Sequence, residues 1–102
     1  MAKPRVVLHP GAAEDYEAAF SWYFARGVGV AADFEREIDR CLRLIAQSPL
    51  RWPKFDAERH RIVVRKFPYS IVYEMMGQHI MVLAIAHGRR RPYYWRERVG
   101  EE

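Results

Sequence analysis

The 102-residue chain is poor in cysteine, in long apolar runs and in clustered metal-ligand residues. Its one cysteine, Cys41, can close no intramolecular disulfide and has no second thiol for a thiolate metal site, so a reducing compartment fits. No run approaches the roughly 18 apolar residues that a membrane span requires. The N-terminus lacks the basic-then-apolar layout of a signal peptide, and the expected location is cytoplasmic. His9, His60 and His79 form no i, i+4 pair and have no neighbouring carboxylate set, so no metal is expected. No glycine loop of the kind that cradles phosphate is present, and no cofactor is expected.

What is present is apolar and aromatic: 50% hydrophobic residues and 14% aromatics exceed what a disordered chain carries. One domain over residues 1–102 is expected, without repeats, linkers or low-complexity segments. The net charge of +4 is unevenly divided. Residues 1–50 hold six Lys/Arg against seven Asp/Glu, whereas residues 51–98 hold eleven against four. A basic second half points to an acidic or polyanionic partner: nucleic acid, an acidic protein or, least of all, a membrane surface.

Arg5 to Leu8 (RVVL) reads as a strand closed by His9-Pro10-Gly11. In Ala12 to Arg26, Tyr16, Ala19, Phe20 and Tyr23 recur at helical spacing, with Glu14, Asp15 and Glu17 in the first turns, where they suit the helix dipole. Gly27 and Gly29 are expected to end that helix. A second amphipathic helix, Ala31 to Gln47, carries Phe34, Ile38, Cys41, Leu42 and Ile45 on one stripe and stops at Ser48-Pro49. Two helices with one apolar stripe each need a sheet to cover. Three β-rich runs supply it: Arg61 to Lys66, Tyr69 to Met76 and His79 to His87, the last two joined by Gly77-Gln78 in a type II′ turn. The last run is apolar on both faces and is expected inside the sheet. The fold class is α+β, in the order β-α-α-β-β-β.

Directly after that last run comes AHGRRRPYYWRER, with five arginines and three aromatic rings in thirteen residues. Arg89, Arg90, Arg91, Arg96 and Arg98 offer charged donor forks, and Tyr93, Tyr94 and Trp95 offer stacking faces. The stretch is either a target-binding surface for phosphates and bases or a solubilising end whose rings fold back on the core. Arg61 and Arg65 are expected to share one face of their strand and to border the same groove. His87 is the candidate base for attack on a phosphodiester, with Tyr93 or Tyr94 as acid and Arg90 stabilising the developing charge. A capping role for His87 is equally open. Trp52-Pro53 is expected to close one end of the core.

Taken in order, VVLHPGAAEDYEAAFSWY, FEREIDRCLRLIAQSP, RKFPYSIVYE and VLAIAHGRRRPYYWRER resemble the RelE/ParE superfamily of bacterial toxins, also described as plasmid stabilisation proteins. The resemblance implies a helical hairpin on a mainly antiparallel four-stranded sheet, and a cognate antitoxin that wraps and neutralises the toxin in a hetero-oligomer. RelE-like members cut mRNA on the ribosome. Their basic set is matched here by Arg61 and Arg90, while Val63 stands in place of a lysine and Ser70 in place of an arginine. ParE-like members act on DNA gyrase, and a last strand ending in histidine followed by arginines is more similar to theirs. Growth inhibition by a ParE-like toxin is the leading expectation. A RelE-like endoribonuclease and a non-catalytic RNA-binding module remain alternatives.

Overall fold

A computed structural model describes residues 4–98, so the outermost ends of the domain expected over 1–102 lie outside the described residues. Strand β1 (Arg5–Leu8) leads into helix α1 (Pro10–Phe24), helix α2 (Val28–Gln47) and strands β2 (Arg59–Val63), β3 (Tyr69–Met76) and β4 (His79–His87). A single 3-10 turn, Arg96–Arg98, follows. The sheet order is β1-β4-β3-β2; β1 pairs parallel with β4, and the other two pairs are antiparallel. The expected element order and the interior place of β4 both hold.

Several boundaries differ from the sequence reading. Helix α1 starts two residues early because Pro10, which lacks an amide hydrogen, takes the first position, and His9 caps it by accepting the Gly11 amide on Nδ1 at 2.9 Å. Glu14, Asp15 and Glu17 therefore lie beyond the first turn, where the dipole effect has faded. Gly27 is the N-cap of α2 and Gly29 lies in its first turn, so only the connection Ala25 to Gly27 separates the helices. Strand β2 runs two to three residues earlier than expected. Its ladder with β3 ends at Val63↔Ser70, after which the Val64 amide donates to Tyr69 and Lys66 turns the chain at φ 72°.

The helices cover one face of the sheet. Phe34, Ile38, Cys41 and Ile45 of α2, with Ala12 and Ala19 of α1, pack on Ile62, Ile71, Tyr73, Ile80, Val82 and Ile85. Each large side chain buried there contributes roughly 1.5–3 kcal/mol. Cys41 is fully buried, and burial pushes its thiol pKa up, so it is a core residue. Trp52 packs against this core as expected. The hairpin turn has Gly77 at φ 64°, the positive value that a type II′ turn requires at its first central residue. The opposite face of the sheet carries Val72, Leu83 and Ala84, and the chain after β4 returns to cover it.

Candidate target-binding site

Strand β1 is only four residues long and pairs with β4 from His79 to Val82. The rest of that edge of β4 must satisfy its backbone groups elsewhere. It does so through side chains. The Ile85 amide donates to Oδ2 of Asp15 on α1 at 3.1 Å, and Nη1 of Arg98 donates to the Leu83 carbonyl at 2.8 Å. Arg98 and Asp15 complete the arrangement by pairing with each other, Nη1 to Oδ2 at 2.8 Å and Nη2 to Oδ1 at 3.2 Å. The Tyr94 hydroxyl donates to the same Oδ2 at 2.8 Å. One carboxylate from α1 thus fastens the segment after β4 to both the helix and the sheet.

Asp15 was expected in the first turns of the helix as a match to its dipole and is instead nearly buried, its side chain 7% exposed. The sequence signal was its register: Asp15 stands three residues after Ala12 and four before Ala19, both buried. Gly11 belongs to the same construction, since a Cβ there would fall on Nε of Arg98.

This clasp decides which of the expected site residues face the outside. Trp95 is 4% exposed and packs edge-on against Phe55 at 5.9 Å between ring centroids, so it offers no free face for stacking. Burial first, and then the hydrogen bond to Asp15, drive the Tyr94 pKa far above the ordinary phenol range, and the hydroxyl is committed to that carboxylate. Arg98 is neutralised by Asp15, and that hydrogen bond pushes its pKa further up. Arg65 does not share a face with Arg61. It lies past the end of β2 and turns toward α2, with Nε 3.9 Å from Oε1 of Glu37.

His87 ends β4 half-buried, edge-on to Tyr69 at 5.0 Å, and its Nδ1 accepts the Arg89 amide at 3.0 Å. Nδ1 is thereby engaged with the backbone. The capping reading of His87 fits this geometry.

What stays available is a cleft of about 380 Å³ on the sheet face opposite the helices. Arg61 enters it from β2 and Arg90 and Arg91 from the turn after β4; Ser70, His87 and Tyr93 also line it, and its lining includes no carboxylate. Arg61, Arg90 and Arg91 therefore border one groove, without Arg65 and Arg98, which were expected there too. Tyr93 is 39% exposed, takes φ 63° and carries the Arg96 guanidinium 4.9 Å from its ring centre. Arg89 and Arg96 are exposed outside the cleft lining. Phe55, unremarked in the sequence, forms a wall beneath Arg61 at 5.7 Å. The neighbouring Arg59 is compensated, its Nη1 2.8 Å from Asp56 and its Nε 3.3 Å from Glu74.

A second cleft of about 570 Å³ opens between α1 and the end of β4, with Trp22, Tyr23, Tyr69 and His87 in its walls. Arg90 lines both clefts. Among the described residues, no group of three His, Cys, Asp or Glu side chains is placed to hold a metal ion. Among them, too, no helix is long and apolar enough to cross a membrane.

No curated protein matches the sequence. Among solved structures, a chain of the chromosomal ParDE TA system from P. aeruginosa superposes with a TM-score of 0.73 at 18% identity, over 83% of this chain and 96% of that one. At that identity the likeness establishes the fold, two helices on a four-stranded mixed sheet. The model of the ParE toxin of the type II toxin-antitoxin system parDE matches residues 6–92. With a match over that much of its length, the chain belongs to the ParE toxin family.

Proposed function

We propose that this ParE-family toxin works in the cytoplasm as a single domain, is held inactive in a hetero-oligomer by a cognate antitoxin, and when free arrests growth by binding DNA gyrase. The observation that carries this reading is the uncompensated cationic cleft. Arg61, Arg90 and Arg91 surround one opening with no carboxylate in its lining, while Arg59 and Arg98 close by are both neutralised. Like charges held around one opening repel and favour an anionic partner, which steers association with an acidic surface.

Binding without bond cleavage is favoured over mRNA cutting by the engagement of His87 and Tyr94 and by two departures from the RelE-type set. His87 spends Nδ1 on a backbone amide, Tyr94 is tied to Asp15, and Val63 and Ser70 stand where the RelE-type set has a lysine and an arginine. The cleft therefore serves recognition. Arg61, Arg90 and Arg91 provide the target contacts, with Arg89 and Arg96 at the rim.

Induced expression tests the reading, alone and together with the small gene encoded beside the toxin. Growth should stop in the first case and recover in the second. Unchanged growth in both would overturn it.

A further inference from the structure

Two kinds of arginine surround the segment after β4. Arg98 and Arg59 are held by carboxylates, which fix the side chain and cancel its charge. Arg90 is held differently. Its guanidinium carbon lies 3.7 Å from the centre of the Tyr94 ring, and no carboxylate lines the first of the two clefts it borders. An aromatic face orients a cation through its quadrupole and leaves the full charge in place. Tyr94 is in turn fixed by Asp15, which also receives Arg98 and the Ile85 amide.

We infer that Asp15, Tyr94 and Arg98 are positioning residues for Arg90: the clasp holds the Tyr94 ring under the guanidinium, so that Arg90 stands ordered and fully charged on the lip between the two clefts. A guanidinium free to sample its rotamers loses side-chain entropy on binding, and one already seated on a ring loses less. The family match ends at residue 92, so Tyr94 and Arg98 lie beyond the matched span. The inference rests on the reading that Arg90 meets the target.

The test joins a spectroscopic readout to an inhibition readout. In the parent protein the Arg90 side-chain proton resonances should be shifted upfield by the ring current of Tyr94. The shift should vanish in Tyr94→Leu and shrink in Asp15→Asn, which loosens the ring. Tyr94→Phe, which keeps the ring and loses its anchor, should fall between. Growth inhibition should weaken roughly five-fold in Tyr94→Leu, the size of one exposed cation-π contact. In an Arg90→Ala background the same change should weaken it no further, although the melting temperature drops in both backgrounds.

Inhibition that follows the melting temperature in both backgrounds would overturn the inference, because a merely structural role behaves that way. Unshifted Arg90 resonances in a parent whose toxicity still requires Arg90 would overturn the inference alone. An Arg90→Ala protein as inhibitory as the parent would overturn it together with the target role of Arg90.

Discussion

Arg98 and Asp15, 83 positions apart in the chain, meet as a two-pronged ion pair that seals the part of the β4 edge left bare by the short strand β1. Their side chains are 17% and 7% exposed, so the pair is shielded from water. Removing one partner strands the other charge. Asp15→Ala and Arg98→Ala should each lower stability by about 3–5 kcal/mol, read as a shift of the urea midpoint.

Gly11 should couple to that pair. An alanine there drives its Cβ into the Arg98 guanidinium, which is anchored to both Asp15 and the Leu83 carbonyl and cannot yield freely. Gly11→Ala should therefore destabilise the parent and be close to neutral in the Arg98→Ala background. Equal losses in both backgrounds would show that the glycine answers to something other than Arg98.

Alkaline pH should loosen the fold. Burial raises the Tyr73 pKa to about 12, and burial followed by the Asp15 hydrogen bond raises Tyr94 beyond the ordinary range. For a group whose pKa is raised on folding, the stabilisation is complete below the unfolded value, near 10, and is lost as pH climbs through the folded value. The urea midpoint should fall between pH 10 and about 12. The fall should be shallower in Tyr94→Phe, and an identical slope would contradict the placement of that hydroxyl.

The arginines should divide into two groups. Arg61→Ala, Arg90→Ala and Arg91→Ala should weaken growth inhibition while lowering the melting temperature by only a few degrees, since none of them makes an ion pair among the described residues and Arg61 and Arg90 each give up one contact with an aromatic ring. Arg65→Ala, on the helical side, should leave inhibition intact. Trp95→Ala should act on folding, by about 3–5 kcal/mol for a large buried ring.

Much of this architecture was legible in the residues. Strands β3 and β4 are bounded as the sequence reads because alternation, a two-residue turn and an apolar run all agree. Strand β2 was misplaced because RIVVRK is uniformly β-prone, so composition could not show where its pairing with β3 stops. That a cationic surface follows β4 was equally plain. Which of its arginines are spent was not, because the neutralising carboxylate of Arg98 comes from the first helix and only the folded chain brings it near. The buried register of Asp15 between Ala12 and Ala19 was the available clue. For Trp95 the sequence left a stacking face and a ring folded back on the core both open, because nothing local shows that Phe55 will close over it.

The most direct measurement adds the purified protein to a DNA gyrase supercoiling assay and, in parallel, to ribosomes programmed with mRNA. The parent should block supercoiling, the Arg90→Ala variant should block it less, and the mRNA should stay whole. Undisturbed supercoiling alongside cut mRNA would contradict a toxin that works by occupying its target through the cleft of Arg61, Arg90 and Arg91.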